Sequence, residues 1–454
     1  MDNKEYIGEL VKKARAAQKE FEAFDQRQVD AVVKAIARAV YDNAVELARM
    51  AYEETRMGVF EDKIKKNQGK ARIIWNSLKD KKTVGIISEN PDTGVVEVAK
   101  PMGVVGAVTP CTNPIVTPMC NAMFALKGRN AVIIAPHPRA KKCAGYVTEL
   151  FNNAIKPYNT PDNLIQVIEE PTVELTNDLM RAVDVIIATG GMGMVKAAYS
   201  SGKPAYGVGA GNVQCIIDRG VDIRDAVPKI IAGRIFDNGI ICSGEQTVIA
   251  PEEDYDGIME EFKANGAYYI ENAEEKDRLR KALFPDGVMN KDLVGQPVKK
   301  VAEMAGIKIP EGTKVILVKA DGTGKEDMLC KEKMCAVIAT FKYKDFSEAV
   351  KIAQANLEVE GKGHSVSIHS DNKTNIEYAA GVLTVSRVLI NQICATMNGG
   401  SFFNGFAATT TLGCGSWGNN SISENLDYKH LINITRIGYY MKDAKVPTDE
   451  EIWR

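Results

Sequence analysis

Phe236–Ala250 reads FDNGIICSGEQTVIA and sets a cysteine, Cys242, where a thiol has room to react. Asp237-Asn238-Gly239 stops a helix whose apolar face is Ile223, Val227, Ile230, Ile231 and Ile235, with Pro228 tolerable if it lies in the first turn. Cys242 follows shortly after that stop, just before the strand QTVIA. Ser243 and Gly244 leave its sulfur little steric cover, so an electrophile could reach a thiolate there. The plainer alternative is a small buried hydrophobe. That is how the other eight cysteines read, Cys215 inside VQCIID among them.

A second stretch has the chemistry of phosphate contact. VDVIIATGGMGMVKAAYSSGK joins a strand to a helix through Gly190, Gly191 and Gly193. Backbone N–H groups at such a helix start can face a phosphate. The pattern departs from GxGxxG at Lys196, where the third glycine would stand. Asp218, closing the next strand, is a candidate ribose acid. A tight strand-to-helix turn explains the stretch equally well.

The elements that must carry these residues are legible as periodicity. The first 80 or so residues read as helices, with Leu10, Val11, Ala14, Ala17 and Phe21 on one face and Val29, Val32, Val33, Ile36, Val40 and Ala44 on another. TVGIIS and VVEVA are short strands joined by the turn ENPDTG, which predicts a hairpin. From GVVGAVTP onward, Val/Ile-rich strands alternate with helices, the mark of a parallel sheet covered on both faces. A second alternating set begins after Asp218, and a domain change is expected near residues 213–220.

Composition excludes several classes. A formal net charge of −2 gives no basis for binding nucleic acid or an anionic membrane. No apolar run approaches a spanning helix, and MDNKEYIGEL lacks the form of a signal peptide. Nine cysteines without a CxxC pair, and four histidines without metal-ligand spacing, predict a reduced, cytoplasmic chain with no zinc.

FDNGIICSGEQ, VTPCTNPIVTP, ATGGMGMVKAAYSSGKPAYGVGAGN, TLGCGSWGNNSISEN and the closing AKVPTDEEIWR together resemble the CoA-acylating aldehyde dehydrogenases, essentially end to end. Within that group the chain is most similar to members that interconvert succinyl-CoA and succinate semialdehyde. The resemblance implies an α/β fold with a Rossmann-type cofactor domain (1–83 and 101–213). It implies a catalytic domain (214–415), a β-hairpin arm for oligomerisation (84–100 with 428–440) and a C-terminal return segment (416–454). It makes Cys242 the nucleophile, with Asn113 and the Cys242 N–H holding the oxyanion. His364 is a candidate proton carrier, with a purely structural role equally open. Thr109, Pro110, His137, Arg139, Gly190, Gly191, Gly193, Val208, Gly209 and Glu332 would hold the cofactor. The turn Ala135–Lys142 contains no acid, and His137 and Arg139 there lean towards NADP, with NAD possible.

Hydrolytic relatives carry a water-activating glutamate where this chain reads Gly207-Val208-Gly209-Ala210-Gly211-Asn212, so coenzyme A is expected as acyl acceptor. For a carboxylate-tailed aldehyde, Lys70 is the chosen cation, one turn from Lys66, with Ser243 as a donor and Arg387 as the competing cation. Met397 and Asn398, in NQICATMNGG, depart from the small and hydroxyl residues of relatives. The alternatives are an acetaldehyde or other short-chain acylating dehydrogenase and a non-enzymatic structural homologue. The latter is disfavoured by a chain that begins almost directly on its first helix. A homodimer or homotetramer is expected, as is the absence of a fused alcohol dehydrogenase.

Overall fold

The computed structural model describes residues 2–454. Four helices open the chain: Asn3–Phe21, Gln26–Asp42, Ala44–Thr55 and Phe60–Leu78. The first buries Ile7, Val11, Ala14, Ala17 and Phe21, one stripe at helical spacing. The second starts on a capping box between Asp25 and Gln28. A hairpin follows, β1 (Gly85–Asn90) and β2 (Val95–Pro101), its strands antiparallel.

Five strands then build a parallel sheet: β3 (Val104–Thr109), β4 (Ala131–Pro136), β5 (Ile165–Val167), β6 (Val185–Thr189) and β7 (Ala205–Val208). Their spatial order is β5-β4-β3-β6-β7. The chain therefore winds outward from β3 in one direction and then in the other, leaving a crevice at the strand ends between β3 and β6. Every residue of β3 and β4 is buried, which is why both are dominated by Val, Ile and Ala.

A seven-stranded parallel sheet comes next: β8 (Val213–Ile217), β9 (Glu245–Pro251), β10 (Ala267–Ile270), β11 (Val315–Lys319), β12 (Val337–Tyr343), β13 (Gly363–His369) and β14 (Val385–Ile390). Its order is β10-β11-β12-β9-β8-β13-β14. Finally β15 (Ile432–Gly438) returns to pair antiparallel with β2, giving a three-stranded sheet β1-β2-β15. Among the described residues no helix is long and apolar enough to cross a membrane.

One local expectation is corrected. Pro228 lies in the second turn of the helix Ile223–Ile235, since that helix starts from the cap Asp222. Proline has no N–H for the Arg224 carbonyl four residues back. Both residues are exposed, so water takes that place and the helix continues.

Candidate functional site

The helix Ile223–Ile235 ends where Asp237 and Asn238 adopt left-handed backbone, at φ 52° and 53°. Gly239 follows at φ 75°. Three successive left-handed residues turn the chain sharply back, and the next residues run through Cys242 into β9. Buried Arg234 fastens this loop from behind. Its guanidinium donates to the carbonyls of Gly239 at 2.6 Å, Lys333 at 2.7 Å and Glu245 at 3.1 Å. The Gly244 N–H donates to the Ile241 carbonyl at 2.9 Å, closing a tight turn around Cys242.

Cys242 is half-buried and lines a cavity of about 340 Å³. Lys66, Lys70, Asn113, Ser243 and Met397 share its wall, with Phe402 and Phe403 among the residues around it. Asn113 comes from the loop between β3 and the helix Val116–Lys127; Lys66 and Lys70 come from the helix Phe60–Leu78. Lys66 Nζ donates to Asn113 Oδ1 at 2.9 Å. Lys70 Nζ donates to the carbonyls of Gly399 at 2.9 Å and Thr409 at 3.1 Å. An ammonium has three protons, so one remains for a ligand. Burial pushes the Lys70 ammonium down to about 8. The Ser243 hydroxyl is already committed, donating to the Ala395 carbonyl at 2.9 Å.

The Cys242 thiol is pushed up to about 12, by burial first and then by Glu332 and Cys414, with Arg387 opposing. In this state it is a protonated, stored nucleophile rather than a standing thiolate.

Arg387 and His364 lie outside the cavity wall. The Arg387 guanidinium is buried and donates to the His364 carbonyl at 2.9 Å and to Ser365 and Asn425 at 3.3 Å. Its side chain is thus occupied within the β13–β14 layer, although its charge is felt at Cys242. His364 is fully buried, and burial followed by Arg387 pushes it down to about 3, so its imidazole is neutral. Its Nδ1 faces the Ser365 hydroxyl at 2.9 Å, and its Nε2 has no partner among the described residues. Asn398 stands behind the cavity, donating to Ser365 Oγ.

The residues expected to hold a cofactor collect at the C-terminal ends of the five-stranded sheet. Thr109 and Pro110 end β3, His137 and Arg139 follow β4, Gly190 and Gly191 follow β6, and Val208 and Gly209 end β7. This is the edge where doubly wound sheets bind dinucleotides. The residues fit such a group: a Cβ at Gly190, Gly191 or Gly193 would meet nothing within 4 Å, so a phosphate has open backbone to approach. Glu332 supplies a carboxyl pushed up to about 8 by burial and then by Glu360, with Arg234 and Lys333 opposing. Asp218 is elsewhere. It closes β8 in the other sheet and accepts from Ser370, Asn375 and the Arg219 N–H.

Three features escaped the sequence reading. Asp237, taken only as a helix stop, accepts from Lys66 at 2.5 Å and Lys63 at 3.2 Å. Glu54 reaches the turn after β4, accepting from the N–H groups of Lys142 at 2.8 Å and Cys143 at 2.7 Å. An acid therefore does cap the start of the helix that follows His137 and Arg139, brought there from another helix. Gly211 lies so close to the nucleophile loop that an added Cβ would sit 1.8 Å from the Cys242 carbonyl oxygen. Only the spacing of Lys63, Lys66 and Lys70 on one helix hinted at any of these.

Comparisons with known proteins agree on one group. The aldehyde dehydrogenase family model matches residues 1–277. The chain is 58% identical over 453 residues to the succinate-semialdehyde dehydrogenase (acetylating) of Clostridium kluyveri, covering 100% of both chains. It is 38% identical to an acetylating aldehyde dehydrogenase from Geobacillus thermoglucosidasius, with a TM-score of 0.94 and 98% of each chain covered. A propionaldehyde dehydrogenase from Rhodopseudomonas palustris, solved with bound CoA and an acylated cysteine, is 27% identical with a TM-score of 0.85, covering 95% of this chain and 97% of that one.

Proposed function

The chain belongs to the aldehyde dehydrogenase family, and on that premise we propose that it interconverts succinyl-CoA and succinate semialdehyde through a thioester on Cys242. The observation that carries this reading is a reactive-loop cysteine sharing one cavity with Asn113 and a lysine that keeps a proton to donate.

The Cys242 thiol gives its proton to solvent, its sulfur adds to the aldehyde carbon, and the carbonyl electron pair moves to oxygen. Asn113 Nδ2 and the Cys242 N–H receive that oxyanion, each donor worth about 2.7–4 kcal/mol in comparable sites. A nicotinamide cofactor held by Glu332 and the glycine loop supplies hydride acceptance. With hydride gone, the acyl group stays on Cys242 as a thioester. The thiol of coenzyme A then forms the new C–S bond and expels the Cys242 thiolate. The segment Gly207–Asn212 brings no carboxylate to activate water, which favours a thiol as acceptor. The proton of the incoming thiol ends on the expelled Cys242 thiolate; His364 is neutral with an unpartnered Nε2, but it is buried outside the cavity wall and at about 3 is too weak a base to draw that proton, which favours its structural role.

For the tail carboxylate we favour Lys70 over Arg387, because Lys70 lines the cavity and Arg387 is occupied behind it. Ser243 serves as wall rather than donor. Both NADP and NAD fit this reading, with His137 and Arg139 favouring a 2′-phosphate and Glu54 opposing it. The sheet β1-β2-β15 is proposed as the arm that joins copies into a dimer or tetramer, by virtue of its exposed Ile86, Ile437 and Tyr439.

The decisive experiment is a turnover panel of succinyl-CoA and acetyl-CoA with NADH and NADPH, on wild type and C242A. We expect succinyl-CoA to be preferred, C242A to be inactive, and label from acyl-CoA to be trapped on Cys242. A clear preference for acetyl-CoA would replace the substrate by acetaldehyde or another short-chain aldehyde, and label on a different residue would remove the mechanism.

A further inference from the structure

We propose that Lys66 is a positioning residue that fixes the amide of Asn113 with its NH₂ turned toward the reacting carbonyl, and that it holds this pose because Asp237 anchors it. The inference rests on the reading of Asn113 as an oxyanion donor.

The geometry leaves Lys66 little freedom. Asp237 is fully buried, and its carboxylate has three claimants. Oδ1 accepts from the Val59 N–H at 2.7 Å, and Oδ2 accepts from Lys63 at 3.2 Å and Lys66 at 2.5 Å. Asp237 in turn is held by its left-handed backbone and by its own N–H, which donates to Asp62 at 3.0 Å. The Lys66 ammonium is therefore tied to a rigid acid, with Asn113 Oδ1 2.9 Å away on its other side. An ammonium can only donate, so the amide atom facing it must be the oxygen. The NH₂ group is then directed away from Lys66, and among the described residues it donates to nothing. An isolated asparagine would exchange its two ends freely in a cavity of this kind.

A second effect has the same sign. The Lys66 ammonium stands directly against the Asn113 amide oxygen, so its charge lies behind that side chain. A cation on the amide oxygen polarises the group and strengthens its N–H donors, just where negative charge gathers on the substrate oxygen. Held in place beforehand, that field needs no reorganisation during the reaction.

The test is K66M, N113A and the double variant, each assayed for acyl-CoA reduction and for alkylation of Cys242 by iodoacetamide, which forms no oxyanion. N113A should lose about 10²–10³-fold in kcat, the loss seen for other oxyanion donors. K66M should lose roughly 10–100-fold in kcat, with KM and the alkylation rate within about threefold of wild type. In the N113A background, K66M should cost little more, because the group it orients is gone. An equal loss in both backgrounds would overturn the proposal, as would a K66M effect confined to KM, which would make Lys66 a direct substrate contact. Full activity in N113A would instead overturn the oxyanion assignment itself. In K66M the Asp237 carboxylate keeps Lys63 and the Val59 N–H; if K66M still fails to fold by circular dichroism, K66Q carries the same expectations.

Discussion

Replacing Gly211 by alanine should damage the reaction from outside the chemistry. The added Cβ would lie 1.8 Å from the Cys242 carbonyl oxygen, 2.7 Å from its carbon and 3.1 Å from its Cα. Ordinary contact begins near 3.4 Å, so the two strands of chain must separate by about 1.5 Å. No flexible side chain can absorb this, because every colliding atom is backbone. The nucleophile loop cannot yield cheaply either, since Arg234 and the Ser243 hydroxyl pin it. Gly211 is not in the left-handed region, so alanine incurs no conformational cost and the collision is the whole effect. Overpacking of this sort costs about 1–3 kcal/mol of stability. A shift of about 1 Å at a reacting atom costs about 10²-fold in rate. G211A should therefore fold, melt lower than wild type, and lose about 10²-fold in kcat for acyl-CoA reduction, with slowed alkylation of Cys242. G257A, in the helix Tyr255–Ala264, is the control: its Cβ would meet nothing within 4 Å. It should stay within about threefold of wild-type kcat. Wild-type kcat and alkylation in G211A would refute the claim that this contact sets the position of Cys242.

K70M should lower kcat/KM for succinate semialdehyde about 10–100-fold, the worth of one hydrogen bond to a charged group, while acetaldehyde turnover changes less than about threefold. Equal losses on both substrates would make Lys70 structural. E54Q should raise the NADPH-to-NADH ratio of kcat/KM, since it removes an anion at the helix start that follows His137 and Arg139; an unchanged ratio would place Glu54 out of range of the cofactor. With a pKa of about 12, Cys242 in the ligand-free protein should be alkylated about tenfold faster per pH unit from 7 to 10, without a plateau. E332Q removes a negative charge that raises the thiol, so it should speed alkylation. The gain should emerge mainly above pH 8, where the Glu332 carboxyl, itself raised to about 8, becomes ionised. A plateau below pH 9 in wild type would contradict the buried, protonated thiol.

What sequence reading reaches and what it misses divide along the range of the interactions. The alternation of strands and helices, the hairpin and the turn that presents Cys242 are encoded within a few residues of themselves. Asp237-Asn238-Gly239 announces a chain reversal because only such residues tolerate successive left-handed backbone. Pro228 falls beyond the first turn in which a helix tolerates proline, and the exposure that lets the helix continue is set by packing rather than by local sequence. The contacts that give the site its electrostatics are of another kind. Lys66 meets Asn113 across 47 residues and Asp237 across 171, and Glu54 meets Cys143 across 89. No periodicity specifies such pairs, so the sequence alone leaves Arg387 in competition with Lys70, although Arg387 is occupied within a β-layer and Lys70 faces the cavity. Burial supplies the missing constraint. A lysine on the inward face of a helix costs several kcal/mol unless an acid meets it. Lys63 and Lys66 on the helix Phe60–Leu78 therefore demanded a buried acid, and Asp237 at the reversal before the nucleophile is the one that meets them. The acid that stops the helix is thus also the counterion beneath the catalytic cavity, which ties the placement of Cys242 and the field around it to a single side chain.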